Sequence, residues 1–241
     1  MTRAEQIAAN LRDVHDRVDK VLVRKRRSPE TLRLLAGSKT VPAEDVVAAL
    51  AAGQLDFAES YGQEFRDKHA AVAELVAASE GLPSPRWHFI GPLQTNKVKY
   101  VAGKVALIHS VSSPEILAEI ERKAAALAVM QDCLVQVNVA GETQKSGIAP
   151  VDLPAMLDRF AGYSHVRCTG RMVIPPYDEN PKLSRPHFEA LRQLRDEQGK
   201  QVRANVVLAN LSMGMSHDLE VAIAEGATIV RVGTAIFGAR V

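Results

Sequence analysis

The 241-residue sequence predicts an α/β protein, a (β/α)8 barrel with an extra N-terminal helix. Three observations carry that expectation. Short apolar runs alternate with helical patterns about eight times, as a barrel of this kind requires. The runs are apolar on both faces, as parallel strands covered by helices must be. No long linker, low-complexity tract or repeat divides the chain, so residues 1–241 are read as a single domain. A doubly wound open sheet is the competing arrangement, and the number of runs at this length favours closure.

The elements follow in order. In "MTRAEQIAANLRDVHDRV", Thr2 and Glu5 are spaced as a capping box, and Ile7, Leu11, Val14, Val18 and Leu22 form one apolar stripe at helical spacing. Charges interrupt that segment throughout, so it is neither a signal peptide nor a membrane span, and a cytoplasmic location is expected. The first strand, "LRLLAGSK", leads to the helix "AEDVVAALAAG", stopped at Gly53. Strands "LDFAES", "RWHFIG" and "ALIHSV" come next, and Ser113 before Pro114 opens the helix "PEILAEIERKAAALA". The runs "CLVQVNV" and "VRCTGRMVI" enclose Cys133 and Cys168, which predicts free buried thiols rather than a disulfide. The helix "HFEALRQLRDEQGK" ends at Gly199 and precedes "NVVLANLS". A short helix from Asp218 to Glu225 and the strand "TIVRVGT" complete the series.

Composition excludes several functions. A net charge of +2 with 24% charged and 5% aromatic residues provides neither the field nor the stacking platforms for nucleic acid. The histidines include no pair at metal-ligand spacing and there is no CxxC, so no metal is expected. "GSKT" lacks the glycine that a phosphate-binding P-loop needs before its Gly-Lys pair. "TNKVKY", with Lys97 and Lys99, reads as a solvated helix face.

If the fold is a barrel, function gathers at the carboxyl ends of its strands. Those ends carry Lys39, then Glu59 and Ser60, His88 and Gly91, His109 and Ser110, Asn138, Met172, Ser212, and finally Arg231, Gly233 and Thr234. His88 and His109 are read as hydrogen-bonded barrel residues rather than bases. Lys39 is either a solvated strand edge or a partly desolvated amine able to act as a nucleophile. "NLSMGMSHD" places Ser212, Gly214 and Ser216 before a helix start, and "RVGTAIFG" adds Gly233 and Thr234, which together predict an anion cradle. An amine, a phosphate cradle and Arg231 on the same strand face as Gly233 fit one cofactor, pyridoxal 5′-phosphate. Arg231 would face the ring nitrogen, where it can only donate and so mutes carbanion chemistry. The alternative for Arg231 is an ion pair with Glu220 or Glu225.

Five stretches, "SKTVP", "WHFIGPLQTNK", "QVNVAGETQKSGI", "LSMGMSHDLEVAI" and "VRVGTAIFGAR", taken in this order, resemble the pyridoxal phosphate homeostasis proteins, the YggS/PROSC type. The resemblance spans nearly the whole chain. It implies a TIM barrel related to the alanine racemase N-terminal domain, and cofactor held as a Schiff base on Lys39. It further implies that Met172, Ser212, Met213, Arg231, Gly233 and Thr234 line the cofactor. The role it implies is managing the pyridoxal phosphate pool and delivering it to apoenzymes rather than turnover; separately, a monomer is expected. The family motif Gly-Glu-Asn-Tyr reads Ala58-Glu59-Ser60-Tyr61 here, so Ser60 has one donor fewer for the ring edge. A racemase of this type needs a second acid/base, which alanine racemase takes from a tyrosine of an additional domain. This chain ends at Val241, and of Tyr61, Tyr100, Tyr163 and Tyr177 only Tyr61 lies near a strand end, so no robust turnover is expected. The polar, proline-rich loop Pro175 to Pro186 is read as a lid or a docking surface.

Overall fold

The computed structural model describes residues 1–142 and 146–239. The chain opens with helix α1 (Arg3–Arg24), and its predicted cap is complete: Thr2 Oγ1 accepts from Glu5 N while the Glu5 carboxylate accepts from Thr2 N. The predicted stripe is buried, joined by Val21. Eight strands follow: β1 (Arg33–Gly37), β2 (Asp56–Glu59), β3 (Arg86–Phe89), β4 (Leu107–Val111), β5 (Gln131–Gln136), β6 (Val166–Met172), β7 (Val206–Met215) and β8 (Ile229–Val232). They pair in parallel in sequence order, and β1 pairs with β8, so the barrel closes as expected. Between them run α2 (Ala43–Ala51), α3 (Gly62–Ala77), α4 (Val98–Val101), α5 (Pro114–Ala126), α6 (Leu153–Ala161), α7 (Arg185–Gln198) and α8 (Leu219–Ala224), with α9 (Thr234–Phe237) after β8.

Two apolar layers hold this architecture. The larger lies between strands and helices and takes in the α1 stripe. The smaller fills the lumen with Leu35, Ala58, Leu107, Leu134, Met172 and Ile229, one side chain from each of six strands, as a packed barrel interior requires. Helix α1 lies against α2, α8 and α9. Its polar side latches to the segments that leave β7 and β8: Arg17 donates to Ser216 O at 3.0 Å, Asn10 to Ile236 O at 2.7 Å and Arg3 to Phe237 O at 2.7 Å. The extra helix therefore braces one end of the barrel.

Several local readings acquire detail. Ser113 caps α5 through Ile116 N. Ser216 does not cap α8; Asp218 precedes that helix, and its carboxylate accepts from Met215 N. Cys133 and Cys168 are buried register partners on β5 and β6, both free, and burial pushes the Cys168 thiol up to about 11. Among the described residues no helix is long and apolar enough to cross a membrane.

Candidate functional site

At the carboxyl ends of the strands lies a cavity of about 520 Å³, within the size range of small-molecule sites. Lys39, Ser60, Arg231, Gly233 and Thr234 all line it. A second cavity of about 530 Å³ sits at the opposite end, around Arg33, Gln54, Asp56 and Arg86.

Lys39 sits just beyond β1 on a turn that is held from both sides. Ser38, fully buried, donates from its amide to Ala58 O at 3.0 Å and from its hydroxyl to Glu59 Oε1 at 2.7 Å. Lys68, reaching in from α3, donates to the Ser38 carbonyl, to Glu59 Oε1 at 2.7 Å and to Glu64 Oε1 at 2.8 Å. Glu64 also accepts the amide of Thr40 at 2.6 Å, and Thr40 adopts a left-handed φ of 61°. The buried Glu59–Lys68 pair, extended by the half-buried Glu64, thus grips the peptide groups flanking Lys39. Burial raises the Glu59 carboxyl above its ordinary value against the pull of Lys68. The Lys39 ammonium is 4.5 Å from the ring centroid of Tyr61, an attraction that needs no counter-ion.

Arg231 enters from β8, 5% exposed. It donates through Nη1 to Ser212 Oγ at 2.7 Å and through Nη2 to Val173 O at 2.9 Å. The two acids offered as alternative partners are engaged elsewhere, Glu220 with Arg17 and Glu225 with Arg185 and Arg192. Burial lowers the Arg231 guanidinium to about 10, against the pull of Asp218, so it remains charged at neutral pH. Gly233 and Thr234 form the rim at the start of α9, and across it Ser216 Oγ accepts from Ala235 N at 3.4 Å.

Not every residue of the expected set reaches the cavity wall. Ser212 is fully buried and absent from the cavity lining, and its hydroxyl is engaged between Arg231 and His109 Nδ1, the latter at 2.8 Å. Met172 belongs to the lumen layer and Met213 to the layer between strands and helices. Gly214 has φ +92° and packs on α8, where a Cβ would stand 2.4 Å from that of Ala222. The physical reason is a register shift between Ser212 and Met215: a bulge breaks the two-residue alternation and puts Met215, rather than Gly214, on the cavity wall. Gly91 is required where β2 and β3 leave the barrel, since a Cβ there would fall 2.0 Å from Ser60 O.

Tyr61, Ile174, Tyr177 and His217 also line the cavity. Tyr177 packs on His217 with centroids 5.5 Å apart, and the His217 Nε2 hydrogen bonds Asp178 O at 2.9 Å. The start of the Pro175–Pro186 loop is thereby joined to the loop after β7. Two tyrosines at the cavity revise the expectation that none but Tyr61 has a claim on it. The polar loop was visible in the sequence; its partner on the neighbouring loop after β7 was not.

Comparison with known proteins places this geometry. The family model for the alanine racemase N-terminal domain matches residues 5–241. The pyridoxal phosphate homeostasis protein of Aquifex aeolicus is 45% identical over 227 residues, 94% of this chain and 95% of that one. That of Pseudomonas aeruginosa is 43% identical, covering 97% and 96%. PipY of Synechococcus elongatus, solved with PLP bound, superposes with a TM-score of 0.81 at 33% identity, covering 96% of this chain and all of that one. Alanine racemase from Corynebacterium glutamicum shares the fold at 14% identity and a TM-score of 0.70, over 62% of its own length. Fold and site therefore define a barrel of the alanine racemase N-terminal domain class. Within that class the chain belongs to the pyridoxal phosphate homeostasis protein family.

Proposed function

We propose that this chain binds pyridoxal 5′-phosphate covalently through Lys39, and that it stores the cofactor and delivers it to apoenzymes rather than using it for rapid turnover. The observation that carries this reading is a primary amine and a buried guanidinium facing one cavity whose rim is Ser216, Gly233 and Thr234. The residues fit the group. Among the described residues Lys39 has no carboxylate partner to compete for its ammonium, and the cavity volume accommodates a small phosphorylated ring.

When bound, the cofactor supplies an aldehyde that condenses with an amine and a ring that withdraws electrons. The chain's own residues do the rest. The Glu59–Lys68–Glu64 cluster holds the Lys39 turn in place. Gly233, Thr234 and Ser216 offer amides and hydroxyls to the phosphate. Arg231 offers only donors toward the ring nitrogen, which disfavours a protonated ring and restrains carbanion chemistry. That restraint supports a carrier over a catalyst, as do the names of the relatives.

Borohydride reduction after exposure to pyridoxal phosphate is expected to label the Lys39 peptide, and Lys39→Ala is expected to abolish the label while leaving the fold intact. Undiminished labelling of the variant would remove the assignment. Tyr61 and Tyr177 at the cavity favour one second reading, a weak amino-acid racemase. Deuterium incorporation at Cα by the loaded protein separates the two: exchange at an ordinary enzymatic rate rejects the carrier, and trace exchange supports it.

A further inference from the structure

Beneath the cavity a continuous chain of polar side chains crosses the barrel. Asp56, at the start of β2, lies within 3.0 Å of His88 Nε2 on β3. His88 Nδ1 lies 3.1 Å from His109 Nε2 on β4. His109 Nδ1 is 2.8 Å from Ser212 Oγ on β7, and Ser212 Oγ is 2.7 Å from Arg231 Nη1 on β8. The path begins at the cavity of the opposite barrel end, which Asp56 lines, and finishes at the candidate cofactor cavity, which Arg231 lines. All five residues are buried.

The two ends fix every proton between them. Arg231 has only donors and an ionised Asp56 has only acceptors. Asp56 is kept ionised by Arg86, whose Nε and Nη2 reach its two oxygens at 2.6 and 2.8 Å. Ser212 Oγ, accepting from Arg231, turns its own O–H to His109 Nδ1. His109 then carries its proton on Nε2 and gives it to His88 Nδ1, and His88 carries its proton on Nε2 and gives it to Asp56. Burial lowers both imidazoles from their ordinary values, in keeping with two neutral rings. No other neutral arrangement satisfies all four contacts.

We propose that Asp56, His88, His109 and Ser212 form a one-directional hydrogen-bond relay that positions the Arg231 guanidinium at the cofactor cavity. With Nη1 held on Ser212 and Nη2 on Val173 O, the fork cannot rotate, and its remaining donors stay aimed from a fixed base. The relay also accounts for Ser212: its hydroxyl serves Arg231 from behind instead of meeting the phosphate. The consequence for the cofactor rests on the function proposed above; the relay itself does not.

The tautomers can be read in the protein without added cofactor by long-range ¹H–¹⁵N correlation on labelled histidines. Both buried rings are expected to be neutral with the proton on Nε2; a proton on Nδ1 of either ring, or an imidazolium at neutral pH, overturns the relay. This measurement needs no variant, so a substitution that fails to fold does not shelter the proposal. Ser212→Ala removes the acceptor behind Arg231. Its guanidinium protons should exchange roughly tenfold faster, and pyridoxal phosphate should be lost roughly tenfold faster, the scale of one hydrogen bond to a charged group. Ser212→Thr, which keeps the hydroxyl, should restore both rates. Unchanged guanidinium exchange in Ser212→Ala rejects the positioning role. Accelerated exchange with unaltered cofactor release rejects its service to the cofactor. A wild-type protein that takes up no pyridoxal phosphate rejects the proposed function, while the tautomers and guanidinium exchange still judge the relay.

Discussion

Arg171 shows what a single residue can cost. It is fully buried on β6, and its Nε, Nη1 and Nη2 make no hydrogen bond among the described residues. Burial lowers its guanidinium to about 10, so at neutral pH it remains a charge in a poorly solvating interior. Arg231, equally enclosed, differs in having Ser212 and Val173 as acceptors. An uncompensated buried charge is destabilising relative to an apolar side chain of similar length. Arg171→Met is therefore expected to stabilise the fold by about 1 to 4 kcal/mol, read as a higher denaturation midpoint with an unchanged slope. A lower midpoint would mean that the guanidinium is satisfied in solution.

At the scale of elements, α3 does more than cover β2. Its Lys68, 8% exposed, is the hub that joins the strand end at Glu59, the turn at Ser38 and its own first turn at Glu64. Removing one member of a buried ion pair such as Glu59–Lys68 costs more than the pair contributes, because the remaining charge keeps its desolvation penalty. Lys68→Met should lose roughly 3 kcal/mol or more by that reasoning. Adding Glu59→Gln should recover part of the loss, because the orphaned carboxylate goes with it. Urea unfolding of the two single variants and the double variant gives the coupling; strictly additive losses would show that the three side chains do not act together. Helix α1 holds the adjoining rim, with Arg17, Asn10 and Arg3 donating to the carbonyls of Ser216, Ile236 and Phe237.

For the molecule as a whole, the relay makes the barrel interior sensitive to acid. Burial, the largest influence on both His88 and His109, holds them neutral, with the nearby positive charges of Arg33 acting in the same direction on each and Asp56 opposing it at His88. In the unfolded chain they titrate near the ordinary value of about 6.5. Because the folded values are the lower ones, the unfolded state binds more protons as pH falls, and linkage then destabilises the native state. Stability should be fully present above about pH 6.5 and erode below it toward the folded values. Melting temperature measured from pH 7.5 to 5 should fall across that window. A flat profile would mean that the buried rings titrate normally or that other groups offset them.

The alternation of strands and helices, the capping of α1 and α5, and the presence of Lys39, Ser60, Arg231, Gly233 and Thr234 where strands end were all legible in the sequence, whereas closure was only favoured there over an open sheet and rests on the distant pairing of β1 with β8. The legible features are local: apolar periodicity, cap chemistry and position relative to a strand terminus are written in neighbouring residues. Which way the side chains of β6 and β7 point was settled by strand pairing in the folded barrel. Register shifts between Cys168 and Gly170 and between Ser212 and Met215 interrupt the alternation that would have put Ser212 and Gly214 together on the cavity wall. Only the closed barrel could bring β2, β3, β4, β7 and β8 to a common interior, so the path from Asp56 to Arg231 has no signature in any one segment. The same holds for Tyr177 against His217, contributed by loops from different strands. Contacts of that kind follow from where distant segments are folded, and the period of a strand cannot report them once a bulge has shifted it.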